Sequence, residues 1–167
     1  MNSSYPELDW IAEARKHIGL KEIKGSKHNP TILSWLQRLK AWWHEDESSW
    51  CGVFAAYCLD MAGVPFPKHW YRALDYLNYG TKLYKPAYGC VAVKKRKGGG
   101  HVCFVVGTTK DGKLVCLGGN QNDGVCFGFY DPSDFEFRWY GKSTAPALYR
   151  YNLPIIKGSD NKPVTEA

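Results

Sequence analysis

The sequence predicts an α+β fold, with N-terminal helices packed on a C-terminal antiparallel sheet. Three observations carry this reading. Apolar residues in the first half recur at helical spacing, whereas beyond Gly80 the pattern turns to alternation and β-branched residues. A chain of 167 residues with 44% hydrophobic and 23% charged residues suits one domain around one core. The expectation is a single domain over residues 1–152 and a polar, loose tail over 153–167.

Residues 6–19 read as a first helix: Pro6 suits its first position, Trp10, Ala14 and Ile18 share a face, and Gly19 closes it. Asn29 and Pro30 read as N-cap and first residue of a second helix, with Ile32, Trp35, Leu36 and Leu39 on one side. The acidic loop "HEDESS" leads to Ser48 or Ser49, either a suitable N-cap for a third helix from Trp50 to about Ala62, which Gly63 ends. An aromatic-rich fourth helix is expected over residues 69–78. Five strands follow: "GCVAVKK", "HVCFVVG", "KLVCLGG", "VCFGFY" and "FEFRWYG". With "TKDG" as the hairpin turn, Thr108 pairs with Lys113 and His101 falls opposite Asn120, on the same face.

Composition narrows the classes. A net charge of +6 suits an anionic partner such as an acidic wall polymer, or simply a solvated surface. The basic segment "KKRKGGG" lacks interleaved aromatics and reads as a solvated loop, so no nucleic-acid partner is expected. No run approaches the roughly 20 apolar residues of a membrane span. The N-terminus has no apolar signal core, which leads us to expect synthesis in the cytoplasm and export by another route. The six cysteines are expected to be reduced. No C-x-x-C pair occurs and His101-x-Cys103 is not a ligand set, so neither metal nor other cofactor is expected, and the chain reads as a monomer.

The stretch "SSWCGVFAAYCL" places Cys51 in the first turn of the third helix. Backbone N–H groups and the helix dipole favour a thiolate there, exposed to a substrate, whereas Cys58 lies deeper in the same apolar helix and stays neutral. A thiolate nucleophile needs a base, and the base needs an orienting group. His17, His28, His44 and His69 lie in helical or polar-loop contexts. His101 instead follows three glycines and opens a strand, and Asn120 across the hairpin offers a carboxamide to one imidazole nitrogen, with Gln121 and Asn122 next in line. A lone cysteine in an apolar helix is most often a core residue, and a lone histidine a surface one. Their joint order is what points to catalysis. Trp50, Trp70 and Tyr71 are the candidates for a substrate-binding groove wall.

The blocks "SSWCGVFAAYCLDMAGVPFP", "GGGHVCFVVG" and "LGGNQNDGV", in this order and spacing, resemble bacterial and phage cell-wall hydrolases of the papain-like NlpC and CHAP kind. The leading helices look like the N-terminal part of one subgroup, so the resemblance covers most of residues 8–140. One departure is Gly89-Cys90, where such proteins often carry Gly-Asp. The resemblance implies a papain-like α+β fold that cleaves amide bonds in peptidoglycan peptides, with Cys51 as nucleophile, His101 as base and Asn120 as orienting residue. Two other readings stay open: a non-catalytic wall-binding module, and a cysteine acyltransferase or deamidase acting on protein glutamine. Two delivery routes to the periplasm fit a chain of this kind: a phage endolysin released through a holin, or an effector injected by a contact-dependent secretion machine. For an effector, a cognate immunity protein would fill the cleft.

Overall fold

Trp10 ties the first helix to the far end of the chain: its Nε1 donates to the Gly89 carbonyl at 2.8 Å, across 79 residues of sequence. The structure, a computed structural model, describes residues 6–23, 28–42, 50–96, 99–141 and 144–157. Helix α1 runs Asp9–Arg15 and is shorter than expected. Residues beyond it serve another element, because the Gly19 and Glu22 N–H groups donate to Val125 and Asp123 and Leu20 accepts from Val125. Helix α2 (Pro30–Arg38) starts as its sequence dictates: the Asn29 side chain accepts from the Thr31 and Ile32 N–H groups, and Pro30 takes the first turn. Helix α3 (Cys51–Met61) is apolar except for Asp60, near its C-terminal end and paired with Arg38, which suits its place between α1, α2 and the sheet. Gly63, at φ +71°, ends it. The serines expected to cap α3 lie outside the described residues.

Residues 69–78 do not form an α-helix. They make turns and a 3₁₀ helix (Ala73–Asn78) held by two phenols, Tyr76 donating to the Gly52 carbonyl and Tyr79 to that of Pro65. The sheet is antiparallel with six strands: β1 (Thr81–Leu83), β2 (Val91–Arg96), β3 (Gly99–Thr108), β4 (Leu114–Gln121), β5 (Gly124–Tyr130) and β6 (Phe135–Trp139), in the order β1-β6-β2-β3-β4-β5. The five expected strands are β2 to β6. Strand β1 has no alternating pattern of its own and exists by pairing with β6.

The β3–β4 register decides the site. Thr108 pairs with Leu114 rather than Lys113, and a bulge between Val105 and Gly107 takes up the difference, so that Phe104 pairs with Leu117. Continuing that register sets His101 level with Asn120, as the sequence reading had it. At that point alternation fails. Asn120 has φ +56°, and the β4–β5 register shifts between Gly118 and Gln121. A left-handed residue rotates the strand, and the Gln121 side chain folds onto the Gly118 face, where its Oε1 lies 3.0 Å from the position a Gly118 Cβ would take. Gly119, between them, faces Phe54 and Trp50 instead.

Residues 153–157, expected as the start of a loose tail, are held. Thr108 donates to Pro154 O at 2.9 Å, and Ile156 donates back to Thr108 O at 2.7 Å. No helix among the described residues is long and apolar enough to cross a membrane.

Candidate active site

Cys51 is the first residue of α3, and Trp50 precedes it as N-cap with no side-chain cap bond. The residue after it is glycine for a steric reason. A Cβ at Gly52 would stand 2.4 Å from the Trp70 carbonyl oxygen, so the chain crossing over the helix start leaves no room for a side chain. Tyr76 pins the same turn through the Gly52 carbonyl, at 2.9 Å. The sequence reading missed Tyr76, whose only signal was its place in an aromatic-rich segment.

His101, near the start of β3, comes against this helix end. Burial opposes a charge on its ring, but the thiols of Cys103 and Cys51 outweigh it and hold the imidazole well above its ordinary pKa. Its Nε2 donates to Gln121 Oε1 at 2.9 Å. The Gln121 amide group donates to the Cys126 carbonyl at 2.6 Å and the Cys116 carbonyl at 3.4 Å, which fixes the side-chain oxygen toward the imidazole. Nδ1 is buried and makes no hydrogen bond, and it is the nitrogen left for a thiol.

Two thiols bear on the ring, and their surroundings separate them. Cys103 sits in mid-strand with Sγ toward the Ala92 carbonyl, and burial, then Cys116, push its pKa well up. Burial does the same for Cys58 and takes Cys90 up to about 12. Cys51 alone stands at a helix N-terminus, where the dipole favours an anion. All six cysteines are thiols, none in a disulfide. Among the described residues no group of three potential ligands could hold a metal ion.

Three expectations change. The hydrogen bond from His101 Nε2 runs to Gln121, where Asn120 was expected; regular alternation hid the rotation at Asn120. Cys51 is not exposed: it is 2% accessible, and His101 is fully buried. Trp50 is no groove wall. At 2% accessibility its ring packs against Trp35 and over Gly119. Trp70 and Tyr71 do lie beside the start of α3, Trp70 buried and Tyr71 half-buried. Tyr71 meets the edge of Trp42 at 4.6 Å, and Trp42 is 69% accessible, so this pair presents an open aromatic corner.

Helices leading an antiparallel sheet, with a cysteine at a helix start facing a histidine on a strand, define a papain-like α+β protein. Compared with family models, residues 43–120 match the CHAP domain. The matched segment holds Cys51 and His101, and the likeness is to the CHAP domain over that segment. No curated protein and no solved structure matched the chain.

Proposed function

We propose that this protein cleaves amide bonds in the peptide stems of peptidoglycan through a thioester on Cys51. The observation that carries the reading is the placing of His101, with its Nε2 spent on Gln121 and its Nδ1 on the side of the thiols. In the proposed cycle His101 Nδ1 takes the Cys51 proton, and the thiolate attacks the amide carbonyl. The Cys51 backbone N–H, at the helix start, serves the oxyanion. The C–N bond breaks as imidazolium Nδ1–H protonates the leaving amine; His101 then draws a proton from water, which displaces the thiolate. Gln121 holds the ring through both half-reactions, and Trp70 and Tyr71, which cross the start of α3, with Trp42 against Tyr71, serve as a substrate wall.

A wall-binding module would have no use for a buried imidazole clamped at one nitrogen, so we place it second. Deamidation of protein glutamine uses the same groups and is separated by substrate alone. Delivery is proposed to follow one of the two routes named above, by holin or by contact-dependent secretion, with action in the periplasm and, for an effector, an immunity protein over the cleft.

The test is hydrolysis of purified sacculi, with products identified by mass spectrometry, by wild type and by Cys51→Ala, Asn120→Ala and Gln121→Ala. Loss of new amine and carboxyl termini in Cys51→Ala, and a stronger defect in Gln121→Ala than in Asn120→Ala, are expected. Full activity of Cys51→Ala would end the reading. The mass of the released fragments also identifies which bond is cut.

A further inference from the structure

Tyr130, the last residue of β5, was assigned no part by its sequence. Its hydroxyl donates to Gln121 Oε1 at 2.8 Å and stands 3.4 Å from His101 Nε2. The phenol is buried, and its ring is held on two further sides: Phe135 packs edge-on at 5.2 Å, and Lys94 Nζ lies 5.3 Å from the ring centroid. Lys94 pairs with His101 across β2 and β3, so the clamp belongs to the level of the site.

A carboxamide oxygen has two lone pairs. Gln121 Oε1 uses one for His101 and one for Tyr130, while its amide group faces two carbonyl oxygens. The two carbonyls hold the amide nitrogen of this long side chain, and the oxygen end is held by His101 and Tyr130. The phenol closes the arrangement from the other side. With Oε1 held, any proton the neutral imidazole carries must sit on Nε2, because an Nε2 lone pair would face an oxygen lone pair. Nδ1 is then the basic nitrogen.

We propose that Tyr130 is a positioning residue of the cysteine–histidine pair, acting through Gln121 to keep neutral His101 protonated on Nε2 with its Nδ1 lone pair toward Cys51. The inference rests on the hydrolase reading above, and its test has a readout independent of turnover. Removing one hydrogen bond while keeping the ring, Tyr130→Phe should lower kcat on soluble muropeptides by about tenfold and leave KM within about twofold. In ¹⁵N-detected imidazole spectra recorded at a pH high enough to leave the ring neutral, wild type should show a single Nε2–H tautomer at His101 and Tyr130→Phe a mixture. A purely structural tyrosine would change stability but leave the tautomer alone.

Unchanged tautomer and unchanged kcat in Tyr130→Phe would overturn the proposal. The unsubstituted protein carries a second test should that variant misfold: a slowly exchanging Tyr130 hydroxyl proton with a cross-peak to the Gln121 amide is expected, and a phenol in free exchange with water overturns the assignment. If Cys51→Ala were active, the hydrolase reading would fail whatever the spectra showed. If Cys51→Ala is dead but the tautomer is indifferent to Tyr130, only the role of Tyr130 falls.

Discussion

Two cysteines on one helix give the sharpest contrast at the scale of the residue. Cys51 and Cys58 are both buried, so either alanine substitution leaves a small void costing about 1 kcal/mol or more. Only Cys51→Ala should abolish hydrolysis. Thermal unfolding and sacculus turbidity, measured together, separate the two; an inactive Cys58→Ala with normal stability would contradict the assignment. Alkylation needs care, because Cys126 is the one half-buried thiol of the six. In a Cys126→Ser background, iodoacetamide should still inactivate, with mass spectrometry placing the adduct on Cys51, and EDTA should leave turnover unchanged. The approach of Cys51 and His101 was legible because Cys51 opens its helix and His101 lies near the start of its strand. Gln121 was not legible, since a side chain's face follows from alternation only while φ stays negative, and Asn120 breaks that rule at φ +56°. The environment of Cys51 was likewise hidden, because burial by a crossing chain leaves no periodic trace.

Among the elements, α1 and α3 each carry a testable consequence. Glu13 on α1 is nearly buried, with His17 Nε2 at 2.9 Å and Lys16 Nζ at 3.2 Å. Burial would raise its pKa, but bonds from His17 and Lys16 prevail, and the carboxyl sits below its ordinary 4.5. A lowered folded-state value means that ionised Glu13 contributes stability above the ordinary carboxylate range. That contribution fades as pH falls through 4.5 toward the lower folded value. Glu13→Gln should therefore be less stable than wild type near neutrality and converge with it in acid, as read from urea midpoints against pH. A constant difference down to pH ~2 would refute the linkage. On α3, alanine at Gly52 would gain up to about 1 kcal/mol of helix propensity, yet its Cβ would meet a backbone oxygen that cannot rotate away. Gly52→Ala should lower both the urea midpoint and activity, and a variant more stable than wild type would show that the Trp70 crossing gives way freely. Helices α2 and α3 were readable from caps and apolar spacing. The 3₁₀ segment was not, because its form is set by two phenol bonds to distant carbonyls rather than by its own propensity.

For the whole molecule, the order of elements was legible: helices, then sheet, with five of the six strands marked by alternation. Strand β1 and the held segment 153–157 were not, since each takes its form from a partner far along the chain. The same kind of long-range pairing has one more effect, at the rim of the sheet. A sheet with this strand order ends in β1 and β5, and an uncovered edge is a template on which a second copy can add a strand. Strand β1 is only three residues long. The N-terminal half of β5 is taken by residues 19–22, whose backbone groups pair with Asp123 and Val125 and whose Lys21 bridges Gly124. This short segment thus doubles as a guard against aggregation. A proline at Leu20 spares the carbonyl that accepts from Val125, whereas proline at Glu22 removes the donor to Asp123. Held at equal concentration and temperature, Glu22→Pro should form thioflavin-positive aggregates sooner than the surface control Glu136→Gln.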